Sequence, residues 1–102
     1  MTRARRTRIE VVVEAAFRGE VCAVLEAEGA SGWTVVRDTQ DFGAHGVREE
    51  AGLSGVFENV IVLTVVGAER AERILARLEG VLADAHAVVL VSEVEVLRPG
   101  KF

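Results

Sequence analysis

The stretch Asn59-Val60-Ile61-Val62-Leu63-Thr64-Val65-Val66-Gly67-Ala68-Glu69-Arg70-Ala71-Glu72-Arg73-Ile74-Leu75-Ala76-Arg77-Leu78 changes its hydrophobic period in the middle. Its first eight residues are almost all apolar and rich in β-branched side chains, which predicts a buried strand. Beyond Gly67 the apolar positions Ala71, Ile74, Leu75, Leu78 and Leu82 fall on one helical stripe. Glu69, Arg70, Glu72, Arg73, Arg77 and Glu79 fall mostly on its wet side. A strand followed by an amphipathic helix is therefore the unit from which the chain is built. The same unit stands earlier. Ile9, Val11 and Val13 alternate with Glu10 and Glu14, and Phe17, Val21, Val24 and Leu25 then recur at helical spacing up to Gly29. Trp33, Val35 and Arg37 alternate with Thr34, Val36 and Asp38 in a second strand. Ala87 to Val91 forms a fourth, and Val94 and Val96 alternate with Glu93 and Glu95 in a short last one before Pro99-Gly100. Two split βαβ units of this size predict an α+β fold, a ferredoxin-like βαββαβ sandwich with a short C-terminal strand and a long loop between strands 2 and 3.

Two features exceed what an isolated sandwich needs. Helices cover one face of such a sheet, so the other face should read polar. Strand three instead offers Ile61, Leu63 and Val65 to one side and Val60, Val62 and Val66 to the other, and strand four offers Val88 and Leu90 opposite Val89 and Val91. No spare helix exists to cover the second face, which predicts a closed oligomer. The second feature is the connection from Gln40 to Glu58, several times the median loop of about four to six residues. It carries Gly43, Gly46, Gly52 and Gly55 and a single arginine, Arg48. Loops of this length in compact domains are functional or disordered, and this one is expected to be mobile without ligand.

Composition bounds the partners. With 102 residues, half of them apolar and about a quarter charged, the chain reads as one ordinary folded domain that needs no disulfide or metal to hold it. Cys22 is the only cysteine, and a reduced, cytoplasmic setting is the simplest expectation. The longest apolar run, Val60 to Ala68, is broken by Thr64 and Gly67 and is half of what a spanning helix requires, so no membrane insertion is expected. The formal net charge is −4, yet residues 1–8 hold Arg3, Arg5, Arg6 and Arg8 and no acid, so residues 9–102 are more acidic than the whole. Nucleic-acid binders carry their basic footprint on the folded domain, so no nucleic-acid partner is expected. Residues 1–8 read as a basic, solvated N-terminal tail ahead of a domain spanning 9–102.

Catalysis is poorly supplied, and the chain is not expected to be an enzyme. His45 and His86 lie in different elements, and neither has a serine or acid beside it in a triad order. Cys22 sits beside the stripe of Val21 and Leu25 and reads as a partly buried structural thiol. His45, His86 and Cys22 have no metal-ligand spacing, although an oligomer interface could gather them. Anion binding is better supplied. In Gly43-Ala44-His45-Gly46-Val47-Arg48 the glycines let consecutive N–H groups turn inward, and the Arg48 guanidinium grips phosphate oxygens in a fork. A flexible loop with one exposed arginine accounts for the same composition.

Several runs together resemble the PII-like signalling proteins. They are Gly29-Ala30-Ser31-Gly32-Trp33-Thr34-Val35-Val36, the loop ending Gly46-Val47-Arg48, Phe57-Glu58-Asn59-Val60-Ile61, and Glu95-Val96-Leu97-Arg98-Pro99-Gly100-Lys101-Phe102. The similarity covers nearly everything after residue 7 and is strongest to the inorganic-carbon-linked branch, associated with bicarbonate transporters and carboxysomes. The resemblance implies a homotrimer that senses an adenine nucleotide (AMP, ADP or cyclic AMP), with bicarbonate as a candidate co-ligand, in clefts between subunits. It implies a T-loop at about residues 40–58 whose order changes with ligand. Carried over by position, Gly32 and Thr34 stand at the adenine and ribose end. Gly46 and Arg48 stand at the phosphates, Ala87 and Val88 at the start of strand four, and Arg98 at the terminal strand. The regulated target it implies is a bicarbonate transporter or a carboxysome-related protein. The chain departs from the classical nitrogen-regulatory pattern at Ala83-Asp84-Ala85-His86-Ala87, which lacks the glycines and lysine that hold a triphosphate there. With no tyrosine in the chain, uridylylation of the loop is excluded. Two other readings stay open on the residues: a metal-binding trimer of the divalent-cation-tolerance type using His45, His86 or Cys22, and an amino-acid-sensing module of the same fold.

Overall fold

In the computed structural model, residues 2–39, 42–43, 46–47 and 58–102 are described. Strand β1 (Arg3–Glu14) leads through a short 3-10 turn (Ala15–Phe17) into helix α1 (Arg18–Ala27). Strand β2 (Thr34–Thr39) follows, then the two-residue strands β3 (Phe42–Gly43) and β4 (Gly46–Val47), which pair antiparallel with each other. Strand β5 (Asn59–Val66), helix α2 (Ala68–Val81) and strand β6 (Ala87–Leu97) complete the sandwich, and a 3-10 turn (Pro99–Lys101) closes the described chain. The main sheet has the order β2-β5-β1-β6, every pair antiparallel. This is the expected α+β, ferredoxin-like sandwich.

Alternation along the strands builds the core. Ile9, Val11 and Val13 of β1 and Val60, Val62 and Val66 of β5 turn to the helices and are buried. They meet Val21, Val24 and Leu25 of α1 and Ala71, Ile74 and Leu78 of α2, the stripes set by helical spacing. Cys22 is half-buried against this core, as expected of a structural thiol. The chain leaves α1 through Gly29, whose φ of +79° a side chain would resist. There the Arg70 guanidinium lies beside the glycine and donates from Nε to the Glu28 carbonyl at 2.9 Å. The Glu28 carboxylate in turn accepts from Arg73 Nε at 3.1 Å and Arg77 Nη1 at 3.2 Å, so one acid ties the end of α1 to α2.

Two boundaries differ from expectation. Residues 3–8 are not a solvated tail but the first half of β1, paired from Arg3↔Leu97 to Arg8↔Ser92 with β6. The separate short last strand does not exist either, because Glu93 to Leu97 continue strand four without a break as the second half of β6. Each half supplies the other's backbone partners. Their charges are complementary, with Arg3 3.6 Å from Glu95 and Arg5 3.7 Å from Glu93. Such exposed pairs contribute little energy but oppose no pairing, and the ladder hydrogen bonds do the holding.

The sheet's outer face is apolar, as the sequence predicts. Thr34 pairs with Leu63 and Val36 with Ile61 on that face, while Val12 lies opposite Val88 and Glu10 opposite Leu90. Val36 is 44% exposed, Val88 54% and Leu90 52%, far more than large aliphatics tolerate in a finished core. On the helix side of β6, Val89 and Val91 are also exposed, because the helices lie over β1 and β5 and do not reach the edge.

The acid between the helices gives a pH signature. Hydrogen bonding to Arg77 holds the Glu28 carboxyl below the ordinary carboxylate range, opposed by burial and reinforced by Arg73. A carboxyl whose folded pKa is depressed stabilises the fold above its unfolded value, about 4.3, and that contribution is lost as pH falls through the folded value. Thermal unfolding of the protein and of Glu28→Gln should therefore differ at neutral pH, with the parent more stable. The gap should close as pH drops below about 4. A gap independent of pH would show that the carboxylate charge is not what joins the helices.

Candidate functional site

Where β2 begins, three remote segments meet around a pocket of about 330 Å³. Ser31, Gly32 and Thr34 form one side, Leu63 and Val65 of β5 form the floor, and Lys101 and Phe102 form the opposite wall. The volume lies at the lower end of the range for small-molecule sites.

Each wall has an identifiable anchor. Thr64 is the one hydroxyl among the core-facing residues of β5, 3% exposed, and its Oγ1 donates to the Gly32 carbonyl at 2.7 Å. That bond satisfies a buried polar group and fixes the backbone of Gly32 against β5. Nothing lies within 4 Å of where a Cβ on Gly32 would stand, so the pocket side of this residue is open space. The far wall is the turn Pro99–Lys101. Arg98 enters it in the left-handed region, φ 57° and ψ 59°, the only non-glycine with positive φ among the described residues. The Ser31 hydroxyl donates to the Lys101 carbonyl at 2.6 Å, and Arg6 reaches the same turn from β1, with Nη2 3.3 Å from the Pro99 carbonyl. Arg6, Arg98 and Lys101 give this end of the sheet a basic rim. Arg8, next on the same face of β1 as Arg6, is paired with Glu10.

The sequence-predicted site residues divide into groups. Gly32 and Thr34 line the pocket. Arg98 leads into the turn that walls it. Ala87 and Val88 begin β6 at the opposite edge of the sheet, paired with Val13 and Val12. Three strand spacings of about 4.8 Å separate that edge from β2, so one chain does not bring the two groups together. Gly46 is in β4, paired with Gly43, while His45 and Arg48 lie outside the described residues, as does most of the 40–58 connection for which mobility is expected. Among the described residues no three His, Cys, Asp or Glu side chains cluster to hold a metal, and Cys22 and His86 sit in separate elements. No described helix is long and apolar enough to cross a membrane.

Sequence reasoning did not assign Arg6, Ser31, Leu63, Thr64, Val65, Lys101 or Phe102 to the site. Thr64 carried a signal, being a polar residue inside an otherwise apolar strand. Arg6 carried none, because its role depends on a turn more than ninety positions away.

Comparison with known proteins covers nearly the whole chain. The family model of nitrogen regulatory protein P-II matches residues 6–101. No curated protein matches. Among solved structures, CPII, a nitrogen regulatory PII-like protein from Thiomonas intermedia K12 bound to ADP, AMP and bicarbonate, superposes with a TM-score of 0.88. It is 22% identical, over 99% of this chain and 96% of that one. A structure described as a PII-like signalling protein from Thermus thermophilus is 25% identical over 100% and 99%, with a TM-score of 0.83. A GlnK–ATP complex from B. subtilis is more distant, 14% identical over 88% and 82%, with a TM-score of 0.65.

Thr64→Val tests the anchor under Gly32. The substitution keeps the shape of the side chain and removes its donor, leaving a carbonyl without its partner at a cost of about 1–3 kcal/mol. The urea midpoint should fall accordingly with little change in slope. An unchanged midpoint would mean that the hydroxyl contributes nothing to holding β2 on β5.

Proposed function

The chain belongs to the nitrogen regulatory P-II family, and from that membership we propose that it is a signalling protein, not an enzyme, that senses an adenine nucleotide between the subunits of a homotrimer. AMP, ADP or cyclic AMP is the ligand, with bicarbonate as the candidate co-ligand, and the liganded state of this cytoplasmic protein regulates a partner in inorganic-carbon metabolism such as a bicarbonate transporter or a carboxysome-related protein. The observation that carries the reading is the family match across residues 6–101 of 102. Its ligand class follows the relatives, whose structures were solved with ADP, AMP and bicarbonate, or with ADP and bicarbonate.

The geometry supports an inter-subunit site. Gly32 and Thr34 lie at the β2 edge, and Ala87 and Val88 lie at the β6 edge of the same sheet. Two half-sites on opposite edges meet only when the β6 edge of one copy approaches the β2 edge of the next, a heterologous contact that a ring closes. The exposed Val36, Val88 and Leu90 between them supply the apolar area for that contact. The pocket beside Thr34 takes the adenine and ribose, and Gly46, Arg48 and Arg98 take the phosphates. Ala83 to Ala87 lack the glycines and lysine of a triphosphate loop, so a mono- or diphosphate fits better than ATP with magnesium.

Light scattering checks the assembly. The expected mass is three times the 11.0 kDa of one chain, and a stable monomer at micromolar concentration would overturn the inter-subunit site. Titration calorimetry with AMP, ADP, cyclic AMP and ATP, each with and without bicarbonate, checks the ligand. Arg48→Ala should weaken AMP or ADP binding by roughly 10- to 150-fold, as expected for a charge-assisted phosphate contact of about 1.5–3 kcal/mol. Adenosine, which has no phosphate, should bind both proteins alike. Equal ADP affinity in the two would remove Arg48 from the site.

A further inference from the structure

We propose that Arg6 is a positioning residue of the nucleotide pocket: it clamps the C-terminal turn so that Lys101 and Phe102 form the wall against which the base rests. The proposal rests on the nucleotide reading and adds to it a residue from the segment that resembled a loose tail.

Arg6 stands at an even position of β1, the face it shares with Arg8 and Val12, and it does not line the pocket. Its guanidinium spans the turn. Nη2 lies 3.3 Å from the Pro99 carbonyl and Nε 3.4 Å from Phe102 O, while Nη1 donates to the Arg5 carbonyl of its own strand at 2.8 Å. One planar group thus joins β1 to the start and the end of the turn, a geometry that a lysine ammonium does not reproduce.

The turn needs such a clamp. Its own hydrogen bonds are two, Lys101 N–H to Arg98 O and Phe102 N–H to Pro99 O, both 3.1 Å. It is entered through Arg98 in the left-handed region directly ahead of a proline, a conformation that costs energy and persists only where neighbours enforce it. From the pocket side the Ser31 hydroxyl holds Lys101, but Ser31 is itself a lining residue and acts on one carbonyl only. Without Arg6, Ser31 is the one side-chain tie to the turn among the described residues, and the wall opposite Gly32 is free to swing away. Phe102 is 39% exposed in the free chain and faces the pocket, a placement that suits a ring awaiting a flat, partly apolar ligand.

A clamp and a phosphate ligand behave differently toward adenosine. If Arg6 positions the wall, Arg6→Ala should weaken adenosine and AMP together, each about tenfold, equivalent to roughly 1.4 kcal/mol. Arg6→Lys should not restore either. In the ligand-free protein the Lys101 and Phe102 amides should exchange faster in Arg6→Ala than in the parent. Phe102→Ala, which leaves β1 and Arg6 intact, should weaken adenosine as well and guards against a folding defect in the first variant. Loss confined to AMP and rescued by lysine would make Arg6 a phosphate charge and overturn the clamp. Unchanged amide exchange at Lys101 and Phe102 would overturn it too, whatever the ligand result. A parent protein that binds neither AMP nor adenosine would overturn the nucleotide reading instead, and the exchange comparison would still decide whether Arg6 holds the turn.

Discussion

Strand β1 is the constraint on which the other elements depend. It is paired from Arg3 to Val13 with β6 and from Thr7 to Glu14 with β5, so both βαβ units are joined through it. Ile9, Val11 and Val13 on its inner face are at most 1% exposed and give both helices a common floor. Full burial of each aliphatic is worth about 1.5–3 kcal/mol, so these three positions alone are comparable to the net stability of a small domain. A one-residue slip of β1 would turn Glu10 and Glu14 into that floor and present the valines to the other side, which is why its register is unique.

The same strand fixes which surfaces of the sheet stay uncovered. With β1 and β5 in the middle, β2 and β6 are its edges. The helices cover the inner face of the centre but neither the β6 edge nor the outer face. Burial therefore leaves an apolar outer surface and an uncovered β6 edge. On the proposed reading a ring of copies would cover that surface and join the two half-sites by one contact. The apolar face and the division of the proposed site would then be two consequences of one arrangement.

The fold was legible because its determinants are local. The switch of period at Gly67, the stripes of Val21, Val24 and Leu25 and of Ile74 and Leu78, and the turn at Gly29 all depend on neighbours within a few residues. What was not legible depends on remote partners. Residues 3–8 hold one alanine, one threonine and four arginines and show no apolar alternation, so hydrophobic period has nothing to report there. Their strand is made by backbone hydrogen bonds to Ser92–Leu97, with Glu93 and Glu95 supplying the opposite charge. Backbone pairing is nearly blind to side-chain type, and the complementary charges stand some ninety positions away. The resemblance singled out Gly32 and Thr34, which line a pocket, but the pocket's remaining walls come from β5 and the C-terminal turn.

The misread arginines also change how the charge of the chain is understood. As a tail, four arginines on an acidic protein would be a mobile counter-charge. As a strand, they are dealt to two faces by the pleat. Arg3 and Arg5 lie near Glu95 and Glu93 on the odd face, and Arg8 is paired with Glu10 on the even one. Arg6 alone among the four has no carboxylate in that ladder and directs its donors to backbone oxygens of Arg5, Pro99 and Phe102. Its planar fork is thereby committed to the strand and to the turn that borders the pocket. The pleat thus gives arginines of one strand different work: those that face acids follow the ladder, and Arg6, opposite Val94, ties a turn remote in sequence to the strand.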